Sequence, residues 1–159
     1  MKGNQKVLGI LNQLLGDELT AISQYMVHSE MCDNWGYDKL HKAIEKQAMD
    51  EVHHAEWLIR RILFLDGTPV VTRLNPMKIG KTVVDIVGND QEAEVAAVRA
   101  YNSAIALARE VADEATADLL AQILKMEEGH VDWAEIQRTQ IGQMGVENYL
   151  AKQTQGASS

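Results

Sequence analysis

Apolar residues recur every three or four positions along most of the chain, which is the period of helices that bury one face. The first such stretch runs from residue 5 to about residue 34 and is followed by Gly36, a residue type that readily takes the left-handed conformation after a helix. The second begins near Asp38, whose carboxylate suits a helix N-cap, and continues to Asp66-Gly67. The pattern therefore predicts two long helices joined by a short turn.

A second pair of long helical stretches follows. The third period begins at Thr82 and the fourth runs to about residue 141, with neither Gly nor Pro at the break between them. We place that break near Asp113, another residue that can cap a helix. A short fifth helix is predicted from Val146 to Lys152, after Gly145.

A long connection separates the two helical pairs. Residues 67–81 hold no sustained period and include both prolines of the chain. Helices of about 28 residues are each roughly 40 Å long, so a connection of this length can span a bundle from end to end. The pattern predicts an all-α, four-helix bundle as one domain over residues 1–153, followed by a disordered tail over residues 154–159.

Composition and charge narrow the class of protein. The chain has 159 residues, of which 46% are hydrophobic, and a net charge of −8. A domain of this size can fold without disulfides or a structural metal. The acidic balance disfavours nucleic acid and membrane partners, and no apolar stretch approaches the roughly 18 residues of a membrane span. Because Cys32 is the only cysteine, CxxC metal sites are excluded and a cytoplasmic location is expected.

Six charged or titratable residues interrupt the apolar stripes on the inward face of the helices. Each of the first and third helices contributes one glutamate, and each of the second and fourth contributes a Glu-x-x-His motif. The second half of the set repeats the first at one constant separation along the chain, which indicates two helical hairpins related by a pseudo-twofold axis. The corresponding pairs are Glu18 and Glu94, Glu51 and Glu127, and His54 and His130.

These residue types at this spacing point to a pair of metal ions. Four buried carboxylates without a metal would cost several kcal/mol per ion unless they took up protons, whereas two divalent cations would cancel their charge. In Glu-x-x-His the two ligands lie one turn apart on the same face, so both can reach one ion. Carboxylate-rich sites with one His per metal suit iron or manganese better than zinc, and this arrangement is the one found in di-iron and di-manganese helical bundles.

Several other charged residues are not predicted to belong to the cluster. Asp50 and His53 have the same spacing but lie about 100° round the helix from the stripe. Their counterparts in the second half of the repeat, Met126 and Gly129, offer no carboxylate or imidazole. We expect a solvated or cavity-facing pair there, and capping or surface roles for the others: Asp38, His41, His28 and Glu30.

The sequence also resembles the bacterioferritin family over essentially its whole length. The segments that carry the resemblance are Met1-Lys2-Gly3, residues 14–19 (LLGDEL), Asn34-Trp35-Gly36, Asp50-Glu51 with His54-Ala55, residues 62–67 (ILFLDG), Glu127-Glu128-Gly129-His130, and Met144-Gly145 with Asn148-Tyr149-Leu150. The resemblance implies a ferritin-like antiparallel four-helix bundle with a long crossover and a short fifth helix. It also implies a hollow shell of twenty-four subunits that oxidises ferrous iron and stores a ferric mineral.

The resemblance assigns a role to each member of the cluster. Glu18 and His54 would bind one iron, Glu94 and His130 would bind the other, and the two remaining glutamates, Glu51 and Glu127, would bridge both ions. Each subunit would then hold two irons. Tyr25, on the same stripe as Ile22, resembles the family's tyrosine beside this centre and is either an extra electron source or an ordinary core aromatic.

Two positions depart from the family pattern. Bacterioferritins bind haem b between paired subunits through a methionine from each, but the matching residue here is Val52, which has no donor atom. Met49 lies one turn away and about 60° round the helix, and is expected to pack rather than to bind haem. Lys46 stands where related chains often have a His that helps bind iron near Asp50 at the inner surface.

These departures leave several assemblies and activities open. One hypothesis is a mixed shell in which a second, haem-binding bacterioferritin subunit supplies the haem. A ferredoxin partner would then reduce the stored iron through this haem. The other hypothesis is a homo-oligomeric shell. A rubrerythrin-like di-metal peroxidase is the main alternative activity, although one cysteine excludes an attached rubredoxin-like site. A passive structural subunit that keeps its ligands without turnover is the non-enzymatic alternative.

Overall fold

A computed structural model of the chain describes residues 1–154 and contains five helices in this part. Four of them are long and the fifth is a short helix after Gly145. Their bounds are α1 Gln5–Asn34, α2 Asp38–Phe64, α3 Val83–Glu110, α4 Glu114–Met144 and α5 Val146–Ala151. The predicted all-α bundle is confirmed. Apart from Thr154, the predicted tail lies outside the described residues.

The helix ends follow the predicted local chemistry at most positions. Gly36 takes a left-handed φ of 83° after α1. At the other ends, Thr82 and Asp113 cap α3 and α4, with their side chains accepting hydrogen bonds from the backbone N–H of Asp85 and Thr116.

The ends of α2 differ from the prediction. Tyr37, not Asp38, occupies the N-cap, because its backbone N–H donates to the carbonyl of Cys32 at 2.9 Å and this turn fixes where α2 starts. The carboxylate of Asp38 instead lies in the first turn, where it favours the helix dipole. At the other end α2 stops at Phe64, and Asp66 rather than a glycine takes the left-handed conformation, with a φ of 59°.

The long connection runs the length of the bundle beside α1. Side chains along α1 bind its backbone in order: Asn12 holds residues 68 and 70, Thr20 holds residue 75, and Gln24 holds residue 78. The connection therefore starts near the beginning of α1 and ends near its end. This path places α3 antiparallel to α1, as the length of the segment predicted.

The interior is divided into three layers along the bundle axis. The end near the α1 N-terminus is apolar and includes Leu11, Leu58 and Leu120, and the opposite end is a second apolar cluster that includes Ile44 and Ile86. Six buried charged or titratable residues lie between the two: Glu18, Glu51, His54, Glu94, Glu127 and His130. No helix among residues 1–154 combines the length and the apolar character that crossing a membrane requires.

Candidate metal centre

The six residues that interrupt the apolar stripes meet in the middle layer of the bundle. The structure brings all of them together, and none is more than 7% exposed. They form two groups that share Glu51 and Glu127: one adds Glu18 and His54, and the other adds Glu94 and His130. Within each group, one ligand atom from every residue lies within 4.8 Å of the others. Each group can therefore surround one metal ion.

The imidazoles face the carboxylates through their Nδ1 atoms. Nδ1 of His54 lies 2.8 Å from Oε1 of Glu127 and 3.6 Å from Oε2 of Glu18. Nδ1 of His130 lies 3.1 Å from Oε1 of Glu51. Each ring thus lies closest to a different member of the shared pair of glutamates.

One buried polar atom of each of the six residues lacks a partner in hydrogen-bonding geometry within residues 1–154. These atoms are Glu18 Oε2, Glu51 Oε1, His54 Nδ1, Glu94 Oε2, Glu127 Oε1 and His130 Nδ1. Leaving a buried acceptor unsatisfied costs about 1–3 kcal/mol. Six such atoms converging on one space are the donor set that two cations of the iron or manganese type would satisfy.

Burial strongly perturbs the two shared glutamates. Burial, together with the neighbouring Glu18, raises the pKa of Glu51 well above its ordinary value. Burial also raises the pKa of Glu127 to about 12, although the nearby His54 opposes the shift. Without a metal, burial therefore favours the protonated form of both carboxyls, and Glu127 holds a proton at neutral pH.

The pKa values of the two imidazoles and of Glu94 shift in the direction that favours the charged form. Burial alone would lower the pKa of both imidazoles, but adjacent carboxylates raise the pKa of His54 and that of His130 to about 9. Burial alone would raise the pKa of Glu94, but His130 and a hydrogen bond from Tyr25 lower it. Protons on the imidazoles and on the shared glutamates thus offset the carboxylate charge.

Two buried tyrosines, one on α1 and one on α3, contact the cluster. Tyr25 is buried and donates its hydroxyl to Oε1 of Glu94. Tyr101 is equally buried and donates to Oε1 of Glu18 at 2.5 Å. Apolar periodicity gives Tyr101 no more than a place on the inward face of α3. It corresponds to Tyr25 under the same repeat that relates Glu18 to Glu94, and that signal could have found it.

Asp50 belongs to the surroundings of the centre, although the sequence predicted only a solvated or cavity-facing pair with His53. Asp50 does line a cavity, but its Oδ2 atom also lies 2.9 Å from Nε2 of His130, the ring nitrogen that points away from the carboxylates. His53 is exposed and contacts Glu56 instead, so the two residues do not form a pair. The contact with the centre was missed because the Asp50 side chain reaches across to α4, which the periodicity of α2 alone does not reveal.

The position of His28 differs from the sequence prediction of a surface residue. It is fully buried, with Nδ1 2.8 Å from Asp90 Oδ1 and Nε2 accepting the backbone N–H of Gly80 at 2.9 Å. It faces α3 and the long connection rather than α2, which explains why it lies off the stripe. Glu30 is exposed, as predicted.

A cavity of about 240 Å³ reaches the cluster between α1, α3 and the long connection. Its walls include Asn75 and Pro76 of the connection and Asp17, Glu18 and Glu51. A second cavity, of about 420 Å³, lies between α2 and α4 against the outer side of His130. The centre therefore has approaches from two sides of the bundle.

The chain is similar to known proteins over most of its length. The family model described as "Ferritin-like domain" matches residues 8–144. A bacterioferritin of Mycolicibacterium paratuberculosis is 41% identical over 152 residues, which cover 96% of each chain. A bacterial ferritin of Synechocystis sp. is 40% identical over 154 residues, or 96% of this chain and 99% of the relative. A bacterial ferritin of Paramagnetospirillum magnetotacticum is 40% identical over 94% of this chain and 93% of its own length.

Proposed function

The chain belongs to the bacterioferritins of the ferritin-like superfamily, and on that premise we propose that it stores iron and oxidises ferrous iron at the buried carboxylate and histidine cluster. The observation that carries the proposal is the convergence of one unpartnered atom from each of six buried side chains. A helical bundle that only needed stability would fill this layer with apolar side chains, because unpaired buried charges destabilise a fold.

The six side chains would divide between two ions. Glu18 and His54 would hold one ion, Glu94 and His130 the other, and the shared Glu51 and Glu127 would bridge them. This division follows the two groups of the cluster. Tyr25 and Tyr101 lie outside these groups, so both hydroxyls are left to orient Glu94 and Glu18 by hydrogen bonds.

The protein residues prepare the site electrostatically. Two ferrous ions in the site would supply one electron each to dioxygen or hydrogen peroxide. Binding them displaces the protons that the shared glutamates and both imidazoles hold without a metal, because a ligand atom must be deprotonated. The buried, low-dielectric surroundings strengthen the attraction between the carboxylates and the cations.

The approach between α1, α3 and the connection suits the entry of ferrous ions. Asp17 lies at this cavity beside Glu18. Asn75 donates to Oδ1 of Asp17 at 2.7 Å and so holds this carboxyl at the cavity wall. We assign the cavity the role of an entry path, with the acidic residues attracting cations toward the centre.

Tyr25 is the proposed extra source of an electron. Its phenol would give one electron to the oxidant and its proton to Glu94, the carboxylate to which it donates. A tyrosyl radical signal in electron paramagnetic resonance after oxidation should disappear in Tyr25→Phe and persist in Tyr101→Phe. A signal that survives in Tyr25→Phe would assign this tyrosine to packing alone.

The residues at the family's haem position do not fit a haem. Val52 is half-buried and offers no atom that coordinates iron, and Met49, one turn earlier, is 48% exposed. We therefore propose a twenty-four-subunit shell in which any haem comes from a second bacterioferritin subunit type, together with the path to a reducing ferredoxin. A Soret band corresponding to one haem per two subunits in the purified homo-oligomer would contradict the mixed shell.

Aerobic oxidation of ferrous ion tests the main proposal. Removing the outer hydrogen-bond partner of a metal ligand typically lowers metal affinity or activity about 10–100-fold, and removing the ligand itself should lower it further. We therefore expect Glu127→Gln to slow the oxidation of ferrous ion at least about 100-fold. The matched control is Glu128→Gln, the same change at the exposed neighbouring residue. Equal rates in both variants would favour the passive shell subunit.

The oxidant separates storage from a peroxidase role. Stopped-flow mixing of ferrous protein with dioxygen and, separately, with hydrogen peroxide gives the two rates directly. Rapid turnover with dioxygen, followed by accumulation of ferric mineral, supports storage. Turnover with peroxide alone, without mineral, would support the rubrerythrin-like alternative instead.

A further inference from the structure

The two imidazoles of the centre have different partners on their outer nitrogens. Nε2 of His130 lies 2.9 Å from Oδ2 of Asp50, whereas Nε2 of His54 lies 3.2 Å from the thioether sulfur of Met126. Asp50 and Met126 correspond to each other under the repeat that relates the two halves of the centre. The pseudo-twofold axis therefore places a carboxylate and a thioether in equivalent positions.

These partners have unequal effects on the ring that they contact. A carboxylate accepts the Nε2–H strongly, fixes the tautomer and raises the basicity of the opposite nitrogen, Nδ1, which faces the centre. A thioether is a neutral, weak acceptor and can do this only slightly. His130 is thus the better donor to a cation, although the first atoms that surround each ion are chemically the same.

The wider surroundings of the two rings also differ. The outer side of His130 faces the 420 Å³ cavity, where Lys46 Nζ lies 3.6 Å from Asp50 Oδ2. The Lys46 side chain is 79% exposed, so water screens its charge and it neutralises Asp50 only in part. His54 is fully buried, with the ring of Trp57 centred 5.6 Å away.

We propose that Asp50 and Met126 make the two metal positions unequal, so that the position formed with His130 and Glu94 binds a divalent cation more tightly and fills first. This inference rests on the metal centre proposed above. Asp50 and Met126 act as positioning residues, because each would contact a ligand rather than the metal.

Cobalt(II) tests the order of filling without turnover. Crystals of the assembled protein are prepared with one Co(II) per subunit, and anomalous scattering at the cobalt edge gives the occupancy of each position. We expect most of the metal beside His130. Equal occupancy, or a majority beside His54, would overturn the inference, and this measurement needs no variant.

Variants then identify the residues responsible for the difference. In a titration followed by cobalt absorption, Asp50→Asn should weaken the tighter step by about 10–100-fold, while the exposed Asp118→Asn should leave both steps unchanged. Met126→Leu, which keeps the volume, should change the weaker step less than threefold. Met126→Asp should strengthen it. An unchanged tighter step in Asp50→Asn would exclude Asp50 as the cause.

The same titration separates failure of this inference from failure of the proposed function. Glu127→Gln removes a shared ligand and should abolish binding of the metal pair. If wild-type protein and Glu127→Gln bind cobalt equally, then the proposed centre is wrong. If binding depends on Glu127 but the two positions fill equally, only the inequality is wrong.

Discussion

Two buried polar networks in this bundle use the same residue types for different ends. One joins His28 and Asp90 to Gln24 and the backbone of Gly80, and the other is the candidate metal centre. In the first, one imidazole faces one carboxylate, and Gln24 donates to Asp90 Oδ1 at 2.9 Å. Only one buried side-chain atom of this network, Asp90 Oδ2, lacks a partner within residues 1–154.

The candidate metal centre has a different ratio of carboxylates to imidazoles and more buried atoms without a hydrogen-bond partner. It holds four carboxylates against two imidazoles, and every one of its six residues keeps an unpartnered atom directed inward. A network in which all but one buried side-chain atom has a partner holds elements of the fold together, here α1, α3 and the long connection. A network with converging, unsatisfied atoms instead requires protons or cations from outside. The two networks therefore differ in how many of their buried polar atoms have hydrogen-bond partners, not in burial or in residue type.

The first network should therefore matter most for stability. Asp90→Ala leaves the His28 Nδ1–H and the Gln24 amide without their acceptor, and we expect a loss of about 3–5 kcal/mol in the free energy of unfolding. Denaturant unfolding of the metal-free protein measures it. Asp90→Asn keeps an acceptor oxygen and should lose less. A loss below about 1 kcal/mol in Asp90→Ala would contradict the structural role.

The candidate metal centre should contribute little to the stability of the metal-free protein and much to its stability with metal bound. Glu127 holds a proton at neutral pH because burial raises its pKa to about 12, so the neutral isostere in Glu127→Gln should leave metal-free stability nearly unchanged. Wild-type protein should gain about 2.7 kcal/mol when free Co(II) is about 100 times the dissociation constant, and the variant should gain almost nothing. Thermal unfolding with and without Co(II) measures both quantities.

The control for this comparison is Glu128→Gln, which changes an exposed carboxylate next to the ligand. It should retain the gain that wild-type protein shows. Should Glu127→Gln destabilise the metal-free protein by several kcal/mol, the centre would be a structural network like that of Asp90, and the contrast between the two networks would fail.

The sequence was most informative where one helix face determines the structure. Apolar periodicity predicted the bundle, and the residues that interrupt it are the six that the structure brings together. The constant separation between corresponding ligands, such as Glu18 and Glu94, added a constraint between distant segments that composition could not supply. Together these features located the middle layer without knowledge of how the helices pack.

Periodicity failed where a side chain contacts something other than the main partner of its helix. Asp50 lies off the stripe of α2 but reaches His130 on α4, and His28 lies off the stripe of α1 but packs against α3 and the connection. A helical pattern gives the direction of a side chain relative to its own helix. It does not give the neighbour that stands in that direction.

A third polar cluster lies at the turn between α3 and α4 and is less buried than the two networks. It tests how far the contribution of such a cluster to stability depends on burial. Asp113 accepts from Arg61 Nη2 at 3.0 Å and from the backbone N–H of Thr116 at 3.1 Å, and its side chain is 17% exposed. Burial alone would raise its pKa, but Thr116 and Arg61 lower it below the ordinary value of 3.8. The stabilisation is therefore present above this value and is lost as the pH falls through the folded-state pKa. We expect Asp113→Ala to lower the free energy of unfolding by about 1 kcal/mol at pH 7. This difference should narrow as the pH falls below the ordinary value of 3.8, and denaturant unfolding over this pH range measures it. The exposed Asp118→Ala on α4 is the control, and a gap that persists at low pH would show that the ionised carboxylate is not its source.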